Sequence, residues 1–137
     1  MILIDTGPFV ALFDSRDHLH HHCFSIFDAL QEPLFSTIPV LTEAFYMLGP
    51  GSIGAQRFRE FVLSGGVEIW FMDPPALKRA FSLMERYADH PMDMADASLI
   101  VAAEVLRTRR VFTVDHDDFS TYRIQRGHRY ESVEVIG

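Results

Sequence analysis

The sequence predicts a parallel α/β fold, in which one open sheet carries helices on both of its faces. Two short apolar runs each end in an acid: Ile2–Ile4 before Asp5, and residues 111–114 before Asp115. Continuous apolar runs of this length are typical of strands that are buried on both faces. Segments with helical spacing separate the predicted strands along the chain, as the crossover connections of a parallel sheet require.

Composition limits the classes of protein that the chain can belong to. With 137 residues, of which 48% are hydrophobic and 23% charged, it is expected to form one globular domain over residues 1–137. No apolar run approaches the roughly 18 residues of a membrane span, and no leader is visible, so no membrane association is expected. The single cysteine, Cys23, cannot form an internal disulfide and favours the reducing cytoplasm.

The net charge of −7 counts against a simple nucleic-acid-binding module, because such modules usually present a basic face. It is compatible with an enzyme that handles phosphate through bound cations.

The first half of the chain is predicted to alternate strands and helices: a strand at 2–4, helices at 9–13 and 18–30, a strand at 33–37, and helices at 38–48 and 53–63. Thr6 and Thr37 are the candidate N-caps of the first and third of these helices. Histidines occupy positions 20–22. Consecutive helical positions diverge around the axis, so we expect a polar helix surface with one His packed inward rather than a metal site.

The second half is predicted to contain a strand at 67–71, a helix at 75–88 capped by Asp73, a buried helix from residue 93 or 94, and strands at 111–114 and 133–136. If the strands at 2–4 and 111–114 are neighbours, Asp5 and Asp115 meet at the carboxyl edge of the sheet, where open α/β sheets place their ligands.

Three further acids lie on predicted helices. Glu43 is closely flanked by apolar residues, which is unusual for a solvated helix face, although a surface glutamate on an amphipathic helix stays an alternative. Asp93 and Asp96 share one face at a helix start. We expect Asp93 to cap or support this helix and Asp96, which precedes an apolar run, to be a buried ligand.

Together, Asp5, Glu43, Asp96 and Asp115 predict a metal site. Carboxylates brought together without cations would repel each other and be partly protonated. Oxygen ligands select Mg²⁺ or Mn²⁺, and such ions can activate water against a phosphodiester. Thr6 or Thr113 could orient a ligand. The basic tail residues Arg123, Arg126 and Arg129 could hold phosphates or could form a solvated loop.

Four segments carry a resemblance to a known family: Ile4-Asp5-Thr6, Thr42-Glu43, residues 96–100, and residues 113–115 followed by Asp118-Phe119. In this order and spacing they resemble the PIN domain, and in particular the VapC-type toxin ribonucleases. The resemblance implies an α/β/α sandwich around a central parallel sheet and Mg²⁺- or Mn²⁺-dependent cleavage of RNA. It also implies a cognate antitoxin protein and a homodimer.

The same resemblance assigns the catalytic, metal-binding acids to Asp5, Glu43, Asp96 and Asp115, with Asp93, Asp117 and Asp118 as accessory candidates.

Two other functions are compatible with parts of the sequence. The triplet Asp5-Thr6-Gly7 after apolar residues matches that of aspartic proteases, and a homodimer could supply the second aspartate. Those proteins are essentially all-β, whereas several long helical segments are predicted here. The second alternative is a non-catalytic module of the same PIN-like fold that binds RNA or a protein partner.

Overall fold

The computed structural model describes residues 1–137, which form seven helices and seven strands. The strands are β1 (Ile2–Ile4), β2 (Leu34–Ser36), β3 (Glu68–Ile69), β4 (Arg110–Phe112), β5 (Arg123–Arg126), β6 (Arg129–Ser132) and β7 (Glu134–Ile136). The helices are α1 (Thr6–Phe13), α2 (His20–Ala29), α3 (Ile38–Leu48), α4 (Ile53–Leu63), α5 (Pro74–Arg86), α6 (Met94–Leu106) and α7 (His116–Thr121). None of the helices combines the length and apolarity needed to cross a membrane.

The central sheet has the strand order β3-β2-β1-β4-β7, and all four pairings are parallel. Helices flank this sheet, so the predicted α/β/α architecture is confirmed. The pairing of β1 with β4 aligns Leu3 with Val111 and Ile4 with Phe112, and both strands therefore end at the same edge. The aspartic protease alternative is wrong, because a parallel sheet with seven helices is not an all-β fold.

Burial explains the apolar runs of the sequence. Every residue of β1 has no accessible surface, as expected for the middle strand of a sheet that is covered on both faces. Helix α6 buries eight residues, five of which are alanine or serine. Small side chains let this helix lie close to its neighbours, and it contacts α3, α5, β1 and β5. The helix that carries Asp96 is therefore fixed within the core.

Several boundaries differ from the sequence prediction. Helix α1 begins at Thr6 rather than at residue 9, so Asp5 and not Thr6 is its N-cap. Thr37 and Asp73 are N-caps as predicted, although only Asp73 uses its side chain as a cap, accepting from Ala76 N.

Helix α7 and the antiparallel hairpin β5–β6 were not predicted. The six residues of α7 are too few to display a helical period, and mostly polar side chains obscure the hairpin.

One histidine of the 20–22 run packs inward, as predicted. The Nδ1 atom of His20 lies 2.7 Å from the carbonyl oxygen of Ala11, which ties α2 to α1. His21 and His22 are exposed. The run is thus a helix surface with one interhelical contact.

Gly7 provides a test of how closely α1 approaches the end of β4. A Cβ atom at position 7 would lie 2.4 Å from Cγ2 of Val114, a side chain that is stiff about χ1. We expect Gly7→Ala to lower the free energy of unfolding by about 1–2 kcal/mol, as overpacking usually does. Urea unfolding monitored by circular dichroism measures this change.

The matched control is Gly7→Ala in a Val114→Ala background, where the clashing atom is absent and the nearest remaining atom is an ordinary neighbour. There the alanine should stabilise the helix by up to about 1 kcal/mol. The same loss in both backgrounds would contradict the close approach.

Candidate active site

Asp5 lies where β1 ends and α1 begins. It has the extended backbone of an N-cap residue, yet its side chain does not cap the helix. Its Oδ2 atom instead accepts a hydrogen bond of 2.9 Å from the Thr113 hydroxyl, at the end of the neighbouring strand β4. Asp5 is only 7% exposed, and its backbone N–H donates to Phe112 O. Two adjacent strands therefore hold this carboxylate rigidly at the carboxyl edge.

Glu43 reaches the same edge from α3. Its Oε1 atom accepts a hydrogen bond of 2.9 Å from the Thr6 hydroxyl, in the first turn of α1. The start of α3 is joined to α6 by the buried hydroxyls of Thr37 and Ser98, which lie 2.6 Å apart. Thr6 and Thr113, predicted as possible orienting residues, thus hold one catalytic candidate each.

Asp93 and Asp96 come from the start of α6. Asp93 caps this helix, because its Oδ1 atom accepts from the Asp96 N–H at 2.8 Å. The Asp93 carboxyl also lies near Glu43 and adds to burial in raising the pKa of that side chain. Asp96 lies deeper, and its Oδ2 atom accepts a hydrogen bond of 2.9 Å from the Tyr122 hydroxyl. The structure therefore brings Asp93 into the cluster in addition to its capping contact.

The pKa values of Asp5, Asp96 and Glu43 are all raised. Burial, with added repulsion from Glu43 and Asp93, raises the pKa of Asp5 to about 6. Burial, with the charges of Asp93, Asp5 and Asp118, raises the pKa of Asp96 to about 8. Burial also raises the pKa of Glu43. No Lys, Arg or His side chain forms an ion pair with Asp5, Glu43, Asp93 or Asp96, so no basic side chain neutralises their negative charge.

Asp115 is arranged differently from the other predicted ligands. Its Oδ1 atom accepts from the Asp118 N–H at 3.0 Å and so caps α7. Burial and the neighbouring Asp118 carboxyl raise the pKa of Asp115. The charge of Asp118 also acts on Asp96, so Asp115 and Asp118 form a pair that adjoins the cluster through Asp118. Asp117, on the same short helix, is exposed.

Two residues near the acids were missed by sequence reasoning. His90 lies in the loop before α6, and its Nε2 atom is 2.7 Å from Oδ1 of Asp118. Tyr122, which follows α7 directly, is fully buried and donates to Asp96. The three-residue spacing of Phe119 and Tyr122 was the one available sign that this tail packs inward.

The three tail arginines differ in their contacts within the protein. Arg123 donates from one guanidinium nitrogen to the carbonyl oxygens of Ser120, Thr121 and Tyr122, at the end of α7. The Nε atom of Arg126 lies 4.0 Å from Glu131. Arg129 is exposed. Arg123 therefore stabilises the helix terminus through one guanidinium nitrogen, and the binding of phosphate by the tail arginines stays a prediction.

The donor set fits a hard divalent cation by its chemistry. The clustered side chains offer only carboxylate oxygens, which are the ligands that Mg²⁺ and Mn²⁺ prefer. Their uncompensated charge and raised pKa values are those of acids that lack a counter-cation. No three or more His, Cys, Asp or Glu side chains are spaced as a complete set of metal ligands.

The fold is a parallel α/β sandwich, and a cluster of carboxylates without basic partners lies at the carboxyl edge of its sheet. These two features define the class of protein as an α/β protein with an acidic site. The model of the PIN domain family matches residues 2–124, and the chain belongs to this family. The resemblance seen in the sequence is confirmed.

Individual relatives agree with this assignment. The chain is 27% identical over 131 residues to ribonuclease VapC26 of Mycobacterium tuberculosis, covering 94% of this chain and 97% of that protein. Its fold is similar to that of M. tuberculosis VapC20, described as a sarcin–ricin-loop-cleaving toxin, with a TM-score of 0.79, 18% identity, and coverage of 86% and 92% of the two chains. A toxin–antitoxin complex from Klebsiella pneumoniae has a TM-score of 0.68 at 20% identity, with coverage of 88% and 92%.

Proposed function

We propose that this protein is a Mg²⁺- or Mn²⁺-dependent endoribonuclease that hydrolyses RNA phosphodiester bonds, and that it is the toxin of a toxin–antitoxin pair. The observation that carries the proposal is the group of Asp5, Glu43, Asp93 and Asp96 at the carboxyl edge, which has no basic partner and in which burial raises the pKa values of Asp5, Glu43 and Asp96. The similarity to ribonuclease VapC26, which extends over almost the full length of both chains, supports RNA as the substrate class.

Asp5, Glu43 and Asp96 would hold the cation, with the Asp115–Asp118 pair completing the set and Asp93 and Asp117 as accessory acids. When bound, the ion would supply Lewis-acid activation of water and neutralise charge at the phosphodiester. The residues around it orient the carboxylates: Thr113 donates to Asp5 and Thr6 donates to Glu43. Because β1, β4, α3 and α6 are fixed in the core, these acids are held in place before substrate arrives.

The proton balance of the site follows from the pKa values. With its pKa at about 8, the Asp96 carboxyl carries a proton at neutral pH when no cation is bound. A ligating carboxylate must be ionised, so cation binding at pH 7 releases this proton. Cation affinity, and with it cleavage, is therefore expected to rise between pH 6 and 8.

The partners we propose are an RNA substrate and a cognate antitoxin protein. We also propose that residues 1–137 form one domain and that the protein acts as a homodimer in the cytoplasm. The toxin–antitoxin complex from K. pneumoniae, whose toxin shares this fold, supports the expectation of an antitoxin.

Cleavage of a mixed cellular RNA pool tests the proposal. The purified protein is expected to produce discrete fragments with Mg²⁺ or Mn²⁺ and none with EDTA, and excess Mn²⁺ added after EDTA should restore them. Gel electrophoresis and sequencing of the fragment ends give the measurement. If folded protein supplied with Mn²⁺ leaves the pool intact, the proposal fails and the non-catalytic PIN-like module is favoured.

A further inference from the structure

Tyr122 occupies an unusual position for a tyrosine near an acidic cluster. It lies at the junction of α7 and β5 and has no accessible surface. Its ring packs edge-on against Tyr87 and Phe119, with centroid distances of 5.2 and 5.3 Å, and His90 lies 6.1 Å away. Three different parts of the chain therefore fix the direction in which its hydroxyl points.

That hydroxyl is the one side-chain group that donates a hydrogen bond to Asp96, at 2.9 Å from Oδ2. A tyrosine phenol is protonated at neutral pH, so it donates its hydrogen to a carboxylate oxygen. The second oxygen of Asp96 accepts no hydrogen bond from the protein and is left for another partner.

We infer that Tyr122 is a positioning residue that holds Oδ2 of Asp96 so that the other carboxylate oxygen faces the cation. The inference rests on the proposed function for the identity of the cation, but it concerns this chain's own side chains. Hydrogen bonds that orient a ligand from behind also govern metal affinity, because they restrict the carboxylate to its binding rotamer.

The aromatic cluster supplies a matched control. Tyr87 packs against Tyr122, and its hydroxyl accepts a hydrogen bond from the backbone N–H of Arg123 rather than contacting an acid. Tyr87→Phe and Tyr122→Phe each remove one hydroxyl from the same cluster and keep the ring. Only Tyr122→Phe removes a contact to Asp96, so the two variants separate positioning from general support of the fold.

The experiment is a titration of the RNA-free protein with Mn²⁺ at pH 7.5, followed by electron paramagnetic resonance. Loss of an orienting partner typically weakens metal binding 10- to 100-fold, so Tyr122→Phe should raise the Mn²⁺ dissociation constant at least about 10-fold. Tyr87→Phe should stay within about twofold of the native protein, because its hydroxyl touches no ligand. In cleavage assays at saturating Mn²⁺, Tyr122→Phe should lower kcat and leave KM for RNA unchanged. Circular dichroism and the unfolding midpoint establish that both variants are folded before they are compared.

Equal Mn²⁺ affinities for the two tyrosine variants would overturn the inference, as would a native protein that binds no Mn²⁺. If the native protein binds Mn²⁺ but cleaves no RNA, the proposed nuclease function fails by itself. The Mn²⁺ titration then still decides the assignment of Tyr122, because a selective loss of affinity in Tyr122→Phe supports it and equal affinities reject it.

Discussion

Replacing Asp5 with asparagine will lower the rate of RNA cleavage by about 10³-fold or more, because Lewis-acid stabilisation by a bound cation is worth several kcal/mol and needs this carboxylate. Asp5 is almost completely buried where β1 ends, and the Thr113 hydroxyl beside it holds its carboxylate. The measurement is the initial rate on the RNA pool with Mn²⁺, beside the native protein.

The fold should survive this substitution. Asparagine keeps the oxygen that accepts from Thr113, and it removes a buried charge that Glu43 and Asp93 repel. Asp28→Asn is the matched control, since Asp28 is exposed on α2 and forms no hydrogen bond or ion pair through its side chain. Cleavage by Asp5→Asn at the native rate would remove Asp5 from the catalytic set. Loss of activity together with loss of the cooperative unfolding transition would instead assign it a structural role.

The second large effect is on the stability of the metal-free protein. Asp96 has a pKa of about 8 in the folded state against 3.8 in the unfolded chain, so the folded state binds more protons between these values. The stabilisation of the folded state that follows from this pKa difference is fully present below about pH 4 and is lost as the pH rises through 8. Asp5, with a pKa of about 6, acts in the same direction over a narrower range. In EDTA, the free energy of unfolding should therefore fall as the pH rises from 5 to 8.

Asp96→Asn removes the larger of these two contributions. We expect this variant to be more stable than the native protein at pH 8 by about 2 kcal/mol, a value discounted for the partial solvent exposure of the side chain. Its unfolding free energy should change less between pH 5 and 8. Urea unfolding in EDTA at pH 5, 6, 7 and 8 gives the two curves, and parallel curves would show that Asp96 ionises normally.

Mn²⁺ should reverse the order of stability, so that the native protein becomes more stable than Asp96→Asn. An ion that binds only the folded state at about 100 times its dissociation constant adds about 2.7 kcal/mol to stability. The native protein should gain this at pH 8, whereas Asp96→Asn, which lacks one of the proposed ligands, should gain little. Asp96→Asn is also expected to lose cleavage, so the variant that is more stable without metal would be the inactive one.

Much of the architecture could be predicted from the sequence because local patterns carry it. The apolar runs before Asp5 and Asp115 identified the neighbouring strands β1 and β4, since short continuous apolar runs are typical of strands that are covered on both faces. The bounds of α3 and α4 were predicted to the residue, because glycine and serine mark their ends. Elements with weak patterns were missed: α7 is six residues long, and the β5–β6 hairpin is polar.

The candidate acids were likewise recognisable by residue type and by their position at strand and helix ends. Their proximity could not be read from the sequence, because Asp5, Glu43 and Asp96 are held together by contacts between residues far apart in the chain. The Thr113 hydroxyl donates a hydrogen bond to Asp5, which lies 108 positions away in the sequence, and the Thr6 hydroxyl donates to Glu43, which lies 37 positions away. The cap formed by Asp115 likewise depends on where α7 begins, and the contact of Tyr122 with Asp96 on where it ends.

The sequence by itself therefore determined the fold class and which carboxylates were available, since both follow from burial patterns within single segments. Only the tertiary structure decided which acids share one environment, which hydroxyls orient them and how far their pKa values move. Desolvation and repulsion depend on distances between segments, and those distances exist only once the sheet, α3 and α6 have packed together.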